Sequence, residues 1–143
     1  MKISYVENIL DGTKLFSTYR HDYKEYRDKD DNYMMIDGGF DYLRYSVDNK
    51  VSFLKESLLE EVIESLRGSF KWGKNYDKDM NRLPKTEYIL LKDLDTDHIY
   101  NILKFFTEPL TDGESHTIDD AWAYIHMIFI QELIYRHGKN KID

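Results

Sequence analysis

The apolar residues of this chain change their period about a third of the way along, and that change most restricts the possible folds. Before it, Leu15-Phe16-Ser17-Thr18-Tyr19 is rich in aromatic and β-branched residues, and Tyr23 to Arg27 continues the pattern. Asp28-Lys29-Asp30-Asp31-Asn32 is a turn by composition, with a hairpin as the natural arrangement around it. Tyr33-Met34-Met35-Ile36 returns as a strand, Gly38-Gly39 breaks it, and Tyr42 to Val47 reads as the last strand. After the change, Leu54, Leu58, Leu59, Val62, Ile63 and Leu66 recur at helical spacing, with Glu60, Glu61 and Glu64 on the outer side. Strands followed by helices imply an α+β fold. The expected architecture is a small antiparallel sheet from the N-terminal third (residues 13–47) packed on three C-terminal helices at 53–67, 95–106 and 117–137.

Each helix carries its own boundary signals. Ser52 and Ser57 both suit the start of the first, Ser57 with the capping-box Glu60, and Gly68 supplies a left-handed stop. Ser69 to Lys85 reads as a polar, aromatic, basic loop, and Tyr88-Ile89-Leu90-Leu91 as a short extended segment. Asp95 suits the cap of the second helix, with Leu94 and Ile99 placed as a hydrophobic staple, and Pro109 ends it. Thr117 caps the third, whose first turn holds Asp119 and Asp120, and Gly138 lies just beyond its end near His137. That helix has two apolar stripes, one of Ile118, Trp122, Ile125, Phe129 and Leu133, the other of Ala123, Met127, Ile130 and Ile134. Either it is buried between layers, or one stripe meets a second copy, which makes a homo-oligomer through residues 121–135 the expectation.

Composition bounds the chemistry. At 143 residues, without repeats or a Pro/Gly/Ser linker, the chain reads as one domain spanning 1–143. Cysteine is absent, which removes disulfides, thiol catalysis and cysteine-zinc sites. The opening residues lack the apolar core of a signal peptide, and the run Ala121 to Tyr135 is too short to span a bilayer, so a soluble protein is expected. Charge is unevenly spread. Residues 1–70 carry 10 basic and 14 acidic groups, residues 71–92 carry 6 and 3, and residues 93–143 carry 4 and 10. A chain of net charge −7 is a poor partner for duplex nucleic acid, whose binding rests on phosphate neutralisation. The local basic segment has enough charge for one or two phosphates, or is a solvated loop.

A sheet that only had to fold would not need the mixture found at Arg20-His21-Asp22-Tyr23 and Asp37-Gly38-Gly39-Phe40-Asp41-Tyr42-Leu43-Arg44. Guanidinium groups of Arg20 and Arg44 suit bidentate phosphate binding with Tyr rings stacked on a base, or pair with Asp22 or Asp41. Gly38-Gly39 fits a strained corner or a ligand-facing turn equally. Trp72 is a core plug, or a stacking platform with Lys74, Lys78, Arg82 and Lys85 supplying positive potential.

His21-Asp22 has the form of a metal-phosphohydrolase dyad but lacks the further His and Asp residues, so His21 is expected to be a hydrogen-bonded structural side chain. Two segments start like calcium loops, at Asp28 and Asp77. The first has Tyr33 and Gly39, the second Arg82 and Tyr88, where a glycine and a carboxylate are needed; both read as turns. The His116, Asp119 and Asp120 cluster is explained by helix capping. No catalytic residues, metal ligands or cofactor are assigned.

Taken in order, Arg20-His21-Asp22-Tyr23, Asp37-Gly38-Gly39 with Asp41-Tyr42 and Arg44, Trp72-Gly73, Leu91-Lys92-Asp93 with Asp97-His98-Ile99, and Glu132-Leu133-Ile134-Tyr135-Arg136 form a distinctive set. With it the chain resembles a group of small accessory proteins of tailed bacteriophages, over roughly residues 13 to 136. After Trp72-Gly73 the group's Gly-Lys-x-Gly pattern is replaced by Lys74-Asn75-Tyr76-Asp77-Lys78-Asp79, so no backbone phosphate cradle carries over. The group brings no activity with it. The resemblance implies an accessory gene product working in the host bacterial cytoplasm. The expectation is a non-catalytic protein binding a small anionic, nucleotide-type ligand, such as a host-defence signal, through Arg20, His21, Tyr23, Gly38, Gly39, Tyr42, Arg44, Trp72 and Lys74. The alternative is an acidic protein–protein inhibitor of a host enzyme.

Overall fold

The computed structural model describes residues 1–77, 79–107 and 120–140. Its strands are β1 (Lys2–Asn8), β2 (Lys14–Leu15), β3 (Lys24–Arg27), β4 (Tyr33–Asp37), β5 (Arg44–Ser46), β6 (Ser52–Leu58), β7 (Lys71–Tyr76) and β8 (Arg82–Leu90). The helices are α1 (Leu59–Leu66), α2 (Thr96–Thr107) and α3 (Asp120–Asn140), with a 3-10 turn at Leu91–Asp93 before α2. The fold is α+β, as the period change implies, but its strands form three antiparallel sheets rather than one: β2-β1-β6, β3-β4-β5 and the hairpin β7-β8.

A strand the periodicity reading passed over organises these layers. Successive side chains of a strand point to opposite faces. On one face of β1, Ile3 and Tyr5 join the large core with Phe16, Leu59, Val62, Leu66, Leu91, Ile99, Ile128 and Phe129. On the other, Val6 joins Met34 and Ile36 of β4 in a smaller core. All three β1 side chains are almost wholly buried, each contributing about 1.5–3 kcal/mol of transfer free energy. Buried Asn8 ends the strand: its Nδ2 donates to Asp28 Oδ2 at 2.8 Å, and its Oδ1 accepts the amides of Leu10 and Asp11. The two cores are thereby tied at one end.

The helix expected at 53–67 begins only at Leu59. Residues 52–58 form β6, paired with β1 from Lys2 opposite Leu58 to Asn8 opposite Ser52. A spacing of four residues, as between Leu54 and Leu58, is two strand repeats as well as about one helical turn. Both leucines are more than a third exposed, whereas Leu59, Val62, Ile63 and Leu66 are buried. Neither serine caps α1; the Leu59 amide donates to the Met1 carbonyl instead. Gly68 is not a left-handed stop, since the glycines with positive φ are Gly12, Gly38 and Gly39. Arg67 ends α1 in a right-handed conformation, and the Phe70 amide donates to the Leu66 carbonyl.

The loop expected at 69–85 is largely the β7-β8 hairpin, with Trp72 opposite Ile89, Gly73 opposite Tyr88 and Lys74 opposite Glu87. It escapes a composition reading because it is mostly exposed and has little apolar alternation. At its tip the Asp77 carboxylate accepts the amides of Asp79 and Asn81, while Lys78 lies outside the described residues. The strand expected at 15–19 is only two residues long in β2, because Ser17 and Thr18 turn away to bond with Asp22. The hairpin around Asp28–Asn32 is present as β3-β4. In α3, Ala123, Met127 and Ile134 of the second stripe are exposed, while Ile128 and Phe129 are buried. Gly138 lies inside α3 rather than beyond it, with open space where a side chain would start. Thr117, His116 and Asp119 lie outside the described residues. No helix among the described residues is long and apolar enough to cross a membrane.

One buried ion cluster closes the large core. Glu132 of α3 is fully buried and accepts Arg67 Nε at 2.9 Å, Arg67 Nη2 at 3.0 Å and Arg136 Nε at 2.7 Å. Arg136 also donates to Thr96 Oγ1 and to the Leu91 carbonyl, so Arg67 and Arg136 share one carboxylate and Arg136 ties it to the start of α2. Arg67 lies 4.5 Å from the centre of the Tyr135 ring, and its bond to Glu132 raises its pKa. The closing Glu-Leu-Ile-Tyr-Arg motif is thus the latch of the helices.

Candidate functional site

The N-terminal candidate residues are held by a small buried network. Asp22 Oδ2 accepts the Thr18 amide at 2.8 Å and the Thr18 hydroxyl at 3.1 Å, and lies 3.3 Å from Lys24 Nζ. Ser17 Oγ donates to the Asp22 carbonyl and accepts the Gly39 amide, both at 2.8 Å. These bonds press the turn at residues 17–22 against the corner at 38–42.

Only glycine fits that corner. Gly38 has φ +93°, and a Cβ there would fall 1.7 Å from the Tyr42 carbonyl oxygen. Gly39 has φ +73°, and a Cβ there would lie 2.7–3.0 Å from the Tyr19 backbone. Both glycines are buried, so the chain's own backbone fills the space beside them. Of the two open readings, the packed corner is the one realised.

The corner brings Arg20, Tyr42 and Arg44 together. The guanidinium carbon of Arg20 lies 5.9 Å from the Tyr42 ring centre, and that of Arg44 lies 5.4 Å from the same ring. Arg44 also pairs with Asp37 at 2.7 Å, rather than with Asp22 or Asp41. Among the described residues no carboxylate pairs with Arg20. Tyr42 is 57% exposed, as is Tyr19, whose backbone packs on Gly39. Burial, then the charge of Asp22 and the nearby Tyr88 phenol, raise the Tyr19 pKa. Tyr88 itself is 69% exposed and lies over Gly73.

His21 and Tyr23 do not join this group. His21 is exposed and its side chain makes no hydrogen bond among the described residues, which corrects the structural-histidine expectation; the buried partner in that pair is Asp22. The Tyr23 hydroxyl donates to Glu25 Oε2 at 2.9 Å and lies 3.1 Å from the Tyr33 hydroxyl, which donates to the same oxygen. These bonds raise the Tyr23 pKa and lower that of Glu25. Arg27 sits 4.7 Å from the Tyr33 ring. This is a cross-strand surface cluster on β3 and β4.

Trp72 and Lys74 are elsewhere. They share one face of β7, opposite the face on which Tyr88 covers Gly73. The single pocket expected from Arg20, Arg44 and Trp72 is therefore two separate places. Trp72 meets Phe129 edge-on at 5.2 Å, so it is part of the core; it also walls an open depression of about 860 Å³ between the hairpin and α2. Lys74, Tyr76, Met80, His98, Asn101 and Ile102 line this depression, with Asp77, Asp95, Thr96 and Asp97. Burial pushes the His98 imidazole below its ordinary pKa, the Lys74 ammonium adds to this, and Asp95 opposes it. The depression's volume lies within the range of small-ligand sites, while its lining is more open and more polar than theirs usually is.

Reasoning from sequence missed His98, Asn101 and Tyr76, although Asp97-His98-Ile99 drew notice as a motif. Their value depends on β7 facing α2, a contact with no local signature. Among the described residues, no group of three or more His, Asp and Glu side chains is arranged to hold a metal ion. Asp28 is committed to its turn: Asn32, Asn8 and the Asp30 amide donate to it and hold its pKa down to about 2. Comparison with protein-family models, curated proteins and solved structures gives no match to this chain.

Proposed function

We propose that this chain is a non-catalytic binding protein for a nucleotide-type ligand, and that the ligand occupies the depression between the β7-β8 hairpin and α2. The observation that carries the reading is the position of Trp72 and Lys74 on one face of β7, opposite His98 and Asn101. Trp72 and Tyr76 offer ring surface for a base. Lys74 makes no ion pair among the described residues and is available to a phosphate. Asn101 and Thr96 supply hydrogen-bonding edges. The resemblance to phage accessory proteins adds context: a host-defence signal held rather than cleaved, in the bacterial cytoplasm. Calorimetric titration with a panel of nucleotides tests this. Retention at micromolar concentration, lost at least about tenfold in Lys74→Glu and unchanged in Arg20→Ala, supports it; no retained nucleotide defeats it.

A second reading, of an acidic inhibitor that occupies a host protein, is favoured by a different observation. Arg20 and the Tyr42 ring it lies over are both exposed, and Tyr and Arg are the side chains that most often dominate interface energies. Here the variants should behave in reverse. A salt-sensitive, stoichiometric partner from host lysate would be lost in Arg20→Ala and kept in Lys74→Glu.

A further inference from the structure

We infer that the ligand of the hairpin–α2 depression is a ribonucleotide bearing a single phosphodiester charge, with a ribose hydroxyl donating to Asp95 or Asp97. The inference rests on the nucleotide reading above and narrows it by charge and by sugar. Among the described residues, Lys74 is the only lysine or arginine lining the depression, against three carboxylates: Asp77, Asp95 and Asp97. His98 adds little positive charge at neutral pH, because burial and Lys74 hold it toward its neutral form. The balance of the described lining is therefore negative, although the site has the ring surface and an ammonium that a nucleotide needs.

The three carboxylates are not equivalent. Asp77 is committed to the hairpin turn through the amides of Asp79 and Asn81. Asp95 and Asp97 are exposed, and their side chains form no hydrogen bond or ion pair among the described residues. A free carboxylate beside a nucleotide repels phosphate and accepts hydrogen bonds from sugar hydroxyls, a use of acidic residues seen in dinucleotide-binding folds. One phosphate charge is matched by Lys74, while each further charge meets carboxylates with no compensating cation among the described residues. At separations of several ångströms in a solvent-open site, each extra charge should weaken binding about threefold to fivefold at low salt.

The test is calorimetric titration of the whole chain with the 3′,5′-cyclic monophosphates of adenosine, guanosine, cytidine and uridine, their 2′-deoxy forms and the four ribonucleoside 5′-triphosphates. The inference expects at least one cyclic monophosphate to bind, with its triphosphate weaker by about tenfold or more at low salt. It expects the 2′-deoxy form to be weaker by about fivefold, the loss of one charge-assisted hydrogen bond. Asp95→Asn with Asp97→Asn, both at exposed positions, should narrow the gap between triphosphate and cyclic monophosphate. A triphosphate that binds as tightly as the cyclic form, or a deoxy form that binds equally well, overturns this inference while the nucleotide reading stands. If nothing in the panel binds, the nucleotide reading fails, and this inference with it.

Discussion

Two places in this molecule bring a pair of arginines onto one acceptor, and they differ in what surrounds that acceptor. Arg67 and Arg136 converge on Glu132, which is fully buried and bonded to both. Arg20 and Arg44 converge on the Tyr42 ring, which is more than half exposed. In the first, low dielectric makes each charge depend on the others, and each of the three guanidinium nitrogens of Arg136 donates a bond, to Glu132, to Thr96 or to the Leu91 carbonyl. In the second, water screens the groups, and Arg20 has no carboxylate partner among the described residues. The lesson is that convergence of arginines does not identify a binding site. What decides is whether the fold has already satisfied them.

The comparison is most exposed to failure at Glu132. Replacing it by Gln should cost about 3–5 kcal/mol in chemical denaturation, because two guanidiniums near the core lose their counter-charge. A change below about 1 kcal/mol would show the latch to be ornamental. Next in size is Gly38→Ala at the corner that presents the exposed pair. A Cβ there collides with the Tyr42 carbonyl and the backbone is left-handed, so a loss of at least about 2 kcal/mol is expected. A near-neutral Gly38→Ala would mean that the corner rearranges easily and that Arg20 and Arg44 are not held.

Acid titration separates a third kind of charged group, the turn carboxylate. Asp28 has a folded-state pKa of about 2, below its ordinary value of 3.8. A depressed carboxylate adds stability that is complete above the unfolded value and is lost as pH falls through the folded one. Asp28→Asn should therefore lower stability at neutral pH and flatten the profile between about pH 4 and 2, so that variant and parent converge at the acid end. An unaltered acid limb would count against the bonds from Asn8 and Asn32. The smallest effect is expected at the exposed arginines themselves. Arg20→Ala should change stability by no more than about 0.5 kcal/mol, and Arg44→Ala, which removes the ion pair to Asp37, by no more than about 1 kcal/mol.

Much of the fold was legible where the governing forces are local. The β3 and β4 strands, the turn at Asp28–Asn32 and the bodies of α2 and α3 follow from period and turn residues. The region from Ser52 to Leu58 was misread because its leucine spacing suits both a helix and a strand, and only the edge of β1 chooses between them. The hairpin β7-β8 was missed because an exposed two-stranded ribbon needs little apolar alternation. At the candidate site, the residue types were recognisable but their grouping was not. Arg20, Tyr42 and Arg44 do meet; Trp72 and Lys74 belong with His98 and Asn101.

By itself, then, the amino-acid sequence determined the α+β class, the glycine pair at the corner and the supply of arginines, tyrosines and one tryptophan from which any site is built. Tertiary structure alone decided that β1 lies between two cores, that Glu132 takes two of the arginines into the interior, and that Trp72 faces α2 rather than Arg20. The physical reason is range. Turn chemistry and helical period act within a few residues, whereas burial, ion pairing and the sidedness of a hairpin are set by partners tens of residues away, such as the 65 that separate Arg67 from Glu132.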